Sequence, residues 1–185
     1  MEFLKKRPAA LILAVIIVIG STFLSVNVKL GKACQKVTDG FYSGVTYDGY
    51  EHKSIQSQLK NISSSALGLT SLAANYNIDT SDVVSCKNDL DSSLANGTVS
   101  EIFGRYSALM SAVNALEARL DGVSLSDRDA SGVAQYSSTI SSAAGVIDKS
   151  GYNDTVRDFL RNTYNVFPAN LFSGIAGVNA PELFE

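Results

Sequence analysis

Residues 98–122 read TVSEIFGRYSALMSAVNALEARLDG, the clearest local signal in the chain. Thr98 and Glu101 form a capping box, in which the hydroxyl and the carboxylate each take a backbone N–H that a helix start leaves without a partner. Behind the cap, Ile102, Phe103, Tyr106, Leu109, Met110, Val113, Leu116 and Leu120 recur every three or four positions. That spacing puts them on one face of a helix, and Gly122 closes it. A lone amphipathic helix cannot bury its stripe, so the fold turns on whether its neighbours carry stripes too.

They do. Upstream, a short helix from Ser81 carries Val83, Val84, Leu90 and Leu94 and stops at Asn96-Gly97. Before it, Ile55, Leu59, Ile62, Ala66, Leu69, Leu72, Ala73 and Tyr76 predict a helix from about His52 to the NYNIDT stretch at 75–80. The serines at 63–65 lower its intrinsic propensity, so packing must hold it. Downstream, Ser126-Asp-Arg-Asp129 opens a long helix through Val133, Tyr136, Ile140, Ala144, Ile147, Tyr152, Val156, Phe159, Leu160 and Tyr164, with a bend at Ser150-Gly151. Val26, Leu30, Ala33, Val37, Phe41 and Val45 predict a first helix that ends near Asp48-Gly49, a turn signal. No alternating strand pattern and no strand-flanked hairpin turn stands out. The expected fold is all-α, an antiparallel four- to five-helix bundle.

The first helix begins inside something else. Pro8 to Val28, PAALILAVIIVIGSTFLSVNV, carries no charge over 21 residues. At about 1.5 Å per helical residue this run matches the roughly 30 Å hydrocarbon core of a bilayer. Lys5, Lys6 and Arg7 would also suit the start of a secretory signal, but the run exceeds the usual signal core of about 7–15 residues and no clean A-x-A site follows. Lipid attachment at Cys34 is disfavoured by Lys29 and Lys32 in the approach KLGKAC. The expected plan is a membrane anchor at 1–28, with the lipid bilayer met through residues 8–28, and a helical domain at 29–185.

Charge divides along the chain. Residues 1–36 hold six Lys/Arg and one acid, Glu2, whereas the remainder holds nine Lys/Arg against 17 Asp/Glu, a net of −8. An acidic domain is repelled by nucleic acid and by anionic lipid, so no nucleic-acid partner is expected. Lys5, Lys6 and Arg7 flank one end of the span, and Lys29, Lys32 and Lys36 the other. The compact N-terminal cluster favours the N-terminus inside and the domain outside.

Reactive chemistry has little to work with. His52 is the sole histidine; Glu51 beside it and Asp48 four positions earlier permit a carboxylate–imidazole pair, but neither a metal-ligand spacing nor a nucleophile turn accompanies it. Asp79, Asp82, Asp89 and Asp91 suit a solvated helix face better than a calcium loop, which needs glycine-punctuated oxygen ligands. No serine sits in a G-x-S-x-G or S-x-x-K context, and no phosphate-cradling glycine loop occurs. Cys34 and Cys86 are 52 positions apart, which leaves a disulfide or two free thiols open. Tyr42, Tyr47 and Tyr50 mark either packing at the first helix corner or a contact surface. No catalytic residue, cofactor or metal site is expected.

The tail NVFPANLFSGIAGVNAPELFE, 165–185, has no Lys or Arg and is broken by Pro168 and Pro181. Phe167, Leu171, Phe172, Ile175, Val178, Leu183 and Phe184 carry enough apolar area to fold back on the bundle. A partner surface is the alternative.

The closing segment YNDTVRDFLRNTYNVFPANLFSGIAGVNAPELFE resembles the C-terminal signature of the LemA family of bacterial membrane-anchored helical proteins. Tyr152, Asn153, Val156, Phe167, Pro168, Asn170, Leu171, Gly177, Phe184 and Glu185 match it. The family's usual Gln-x-x-Arg-Arg and Asp-Leu-Ile-Pro-Asn-Leu-Val stretches are missing from YEHKSIQSQLKNISSSALGL at 50–69, so the likeness is to a divergent member. The resemblance implies an N-terminal span feeding a helical bundle and carries over no catalytic residue. The expected role is a non-enzymatic scaffold, accessory or interaction protein of the envelope with an unidentified protein partner. A small-ligand module with a pocket between bundle helices is the alternative.

Overall fold

The computed structural model describes residues 7–185, with side chains from residue 11 onward except at 172 and 176. Lys5 and Lys6 of the basic cluster lie outside the described residues. Helix α1 runs unbroken over Arg7–Ser43, and the hairpin β1 (Val45–Tyr47) and β2 (Tyr50–His52) follows. Then come α2 (Ile55–Ala74), α3 (Ser81–Asn96), α4 (Val99–Asp121), α5 (Asp127–Asp148), α6 (Tyr152–Phe159), one π-helical turn at Leu160–Tyr164, and α7 (Ala169–Ala176). The fold is all-α, with an N-terminal helix long and apolar enough to cross a membrane. None of its most apolar window is buried within the chain, unlike the core helix of a globular domain.

Two compact units divide the described chain. One contains α1 as far as Val37 together with Arg157–Pro181; the other contains Thr38–Val156 together with Glu182–Glu185. The second unit is the bundle. Within it α2 packs on α5 and on α3, and α3 packs on α4. Its core is built from the expected stripes: Leu59, Ile62, Leu69, Val83, Leu90, Ile102, Leu109, Leu116 and Leu120 are fully buried. A Cβ at Gly68 would lie 2.5 Å from the Tyr136 ring, so glycine there lets α2 and α5 approach closely. Among the described residues no buried side-chain nitrogen or oxygen lacks a hydrogen-bond partner.

The local stops are those the sequence writes. Thr98 Oγ1 accepts from Glu101 N at 3.3 Å while Glu101 Oε2 accepts from Thr98 N at 2.9 Å, which completes the capping box. Ser54 and Ser126 cap α2 and α5 in the same way, each accepting from the backbone N–H three residues on.

Three expectations need correction. Helix α1 ends at Ser43, and Val45–His52 forms a hairpin. Asp48 and Gly49 both take positive φ, 49° and 79°, the left-handed pair that a two-residue hairpin loop demands. The strands hold only three residues each, too few to show an alternating period. The long C-terminal helix is interrupted at Ser150-Gly151 and resumes as α6. The tail does not fold back as one piece: 157–181 belongs with the stem of α1, and only Glu182–Glu185 belongs to the bundle.

Candidate functional site

The C-terminal residues that join the bundle are held by a small number of strong contacts. Asn153, at the start of α6, accepts from Phe184 N through Oδ1 at 2.8 Å and donates through Nδ2 to Phe184 O at 3.0 Å. One side-chain amide therefore pairs with both backbone groups of Phe184, as a neighbouring strand would. The Tyr152 hydroxyl donates to Glu182 O at 2.9 Å. Burial pushes that phenol well above its ordinary pKa, with Tyr42 and Glu182 adding to the effect, so it stays protonated as a donor. Glu182 Oε2 accepts from Ser100 N at 2.9 Å. A carboxylate at the first turn of α4 also meets the positive end of the helix dipole.

The Phe184 ring fills the centre of an aromatic cluster. It lies 5.6 Å from Phe41, 5.2 Å from Phe103 in an edge-on arrangement and 5.7 Å from Tyr106, and Phe41 in turn lies 5.8 Å from Tyr152. Burial raises the Tyr106 pKa, and Asp148 adds to it. Offset and edge-on aromatic pairs add roughly 0.5–1.5 kcal/mol each beyond area burial. The site closes the bundle around Phe41, the buried end of α1.

The other unit presents a different surface. An apolar cavity of about 400 Å³ lies between Val26, Leu30 and Ala33 of α1 and Val166, Phe167 and Pro168. Tyr164 fastens the tail from within, donating to Val178 O at 2.7 Å. Yet Phe167 is 76% exposed, Leu171 53% and Ile175 70%. Leu171 and Ile175 are spaced by four residues, so they share one face of α7, and Phe167 lies just before the helix, while Ser173 is buried.

Two polar cavities lie within the bundle unit. A groove of about 610 Å³ between α3 and α4 is lined by Asp89, Ser92, Ser93, Asn96, Glu101 and Arg105, with Arg105 3.6 Å from Asp89. Glu101 is already committed to its cap. A smaller one, about 260 Å³, is lined by Asp48, Tyr50, His52, Asp148, Lys149 and Asp154. It brings His52 to the same cavity as Asp148 and Asp154, which the local sequence around His52 does not reveal. Alternation along β2 turns Glu51 to the opposite face from His52. Among the described residues no group of three or more His, Cys, Asp or Glu is arranged to hold a metal.

The acidic residues of 79–91 are tied down. Arg119 donates to Asp82 Oδ2 at 2.7 Å and to Asp79 O at 2.6 Å. The Ser81 backbone N–H and hydroxyl hold the Asp79 carboxyl below its usual range. Asp91 accepts from Lys87 and from Ser63. Cys34 is buried and Cys86 half-buried, and both are free thiols. Tyr42 packs edge-on against Phe41 but is exposed, as Tyr50 is.

No family model, curated protein or solved structure matches the chain.

Proposed function

We propose that this protein is a membrane-anchored helical bundle that works by protein contact at the cell envelope, as a scaffold or accessory subunit. The observation that carries it is the span of α1: one unbroken helix holds the unburied apolar stretch at one end and Phe41, at the heart of the aromatic cluster, near the other. The chain is a divergent LemA-type protein in this proposal. In support, four of the positions that carry that resemblance, Tyr152, Asn153, Val156 and Phe184, form or adjoin the closure of the bundle. The bundle lies on the outer face, in keeping with the basic cluster before the span and the −8 net charge after residue 36.

Pull-down of the tagged chain from mildly solubilised membranes tests it. A stoichiometric envelope protein is the expected catch. Repeated recovery of the chain alone under those conditions overturns the proposal.

A second reading, a small-ligand module, draws on the α3–α4 groove with its carboxylate, guanidinium and hydroxyl lining. It requires a melting temperature that climbs with ligand concentration by mass action, and Arg105→Ala must abolish the climb. A flat response across polar metabolites removes it.

A further inference from the structure

From Asn162 to Pro181 the chain has no charged residue. Across this segment Val166, Phe167, Leu171 and Ile175 are exposed, Leu171 and Ile175 on a single face of α7, while Ser173 is buried. Facing water, that arrangement leaves these four apolar side chains solvated. The segment also has a defined level. It shares a cavity with Val26, Lys29, Leu30 and Ala33 of α1, where the apolar run ending at Val28 gives way to Lys29, Lys32 and Lys36. For a helix that crosses a bilayer, this is the headgroup boundary.

We propose that residues 166–175 form a second membrane contact. Phe167, Leu171 and Ile175 enter the headgroup–acyl boundary beside the span, as the apolar face of an interfacial helix does. The occupant is lipid, for three reasons. The segment belongs to the same compact unit as the unburied apolar stretch of α1, and its Val166, Phe167 and Pro168 share a cavity with Val26 and Leu30 at the end of that stretch. The segment carries no charge that would need desolvation. Lys29 at the shared cavity, with Lys32 and Lys36 following it along α1, is exposed and suits phosphate headgroups, whereas the acidic bundle does not. The anchor thus has two parts, of which one crosses and the other enters only the boundary.

This inference rests on α1 spanning the bilayer, and one experiment separates the two claims. The chain contains no tryptophan, so single-tryptophan variants report without background. Ile16→Trp, Phe167→Trp and Ile175→Trp chains, otherwise intact, are placed in lipid nanodiscs whose acyl chains carry bromine either shallow or deep. Emission from Ile16→Trp falls with deep bromine. Emission from Phe167→Trp and Ile175→Trp is blue-shifted and falls roughly two-fold with shallow bromine, as expected for side chains about 5–10 Å into the boundary. Quenching of Ile16→Trp alone, with water-like emission at the other two, overturns the second contact and leaves the span standing. Blue-shifted emission at 167 and 175 that bromine does not quench overturns it too, and assigns the face to a protein, either a second copy or another chain. No quenching at Ile16→Trp overturns both claims.

Discussion

Phe167 and Phe184 stand 17 positions apart in one apolar tail, and their fates are opposite. Phe184 is 5% exposed among three aromatic rings, its backbone paired on both sides by Asn153. Phe167 is open on the other unit. Composition does not separate them: each lies near a proline, with leucine within a few positions and no Lys or Arg within five residues. What separates them is polar company. Glu182 offers a carboxylate to Ser100 N and a carbonyl to Tyr152, so the last four residues can satisfy their backbone while burying a ring. Near Phe167, by contrast, Tyr164 donates to Val178 O within its own unit. Hydrophobicity says that a side chain leaves water; hydrogen bonds decide where it goes.

That contrast is easiest to break at its buried end. Truncation after Pro181 removes the ring, the Asn153 pairing and the Glu182 contacts together. It should lower the unfolding free energy of the bundle by at least about 4 kcal/mol. Phe184→Ala alone should cost about 3 kcal/mol, and Phe167→Ala less than about 0.5 kcal/mol, by denaturant unfolding in a common detergent. Equal losses at the two positions would erase the distinction.

Asn153→Ala keeps the ring but deletes the two-sided pairing, and should cost about 1–2 kcal/mol. Hydrogen exchange at the Phe184 amide should quicken with it. An amide that stays protected in Asn153→Ala would mean that the aromatic cluster holds the terminus unaided.

Away from the tail, Thr98→Ala should cost about 1 kcal/mol by removing half of the capping box. It should also loosen the Ser100 amide that meets Glu182, so its effect and that of truncation should be less than additive. Full additivity would mean that the cap and the C-terminal closure act separately.

The smallest effect is set by pH. Asp129 has its pKa held down by hydrogen bonds from the Tyr76 and Ser126 hydroxyls. A carboxylate whose folded pKa is depressed contributes stability above its unfolded value near 3.8, and that contribution is lost as pH falls through the lowered folded value. Tyr76→Phe should therefore lower the melting temperature at pH 7 slightly and make its fall below pH 3.8 shallower. A Tyr76→Phe curve parallel to the parent's at every pH would assign the acid sensitivity to other carboxylates.

Helices were the legible part of this molecule, because their stripes repeat over many turns. Thr98 and Glu101 announce α4 to within a residue, and Phe41 falls on a stripe that runs through α1. The hairpin was not legible, since two strands of three residues leave no period and Asp48-Gly49 marks a turn without saying what it joins. Nor was α7: Pro168 marks an end, but it stands here as the residue before Ala169, ahead of a new helix. The closure residues Tyr152 and Asn153 stood out through the resemblance of the C-terminal segment and not through any spacing. Their roles depend on a partner 30 positions away, which local patterns do not encode.

The central claim is that the apolar half of α1 stays with the chain and holds it in a bilayer. Intact-mass measurement of the protein from carbonate-washed membranes tests this directly. The account predicts a membrane-retained species that still carries residues 8–28. A species in the soluble fraction that has lost about thirty N-terminal residues, as cleavage after a signal would leave it, contradicts it.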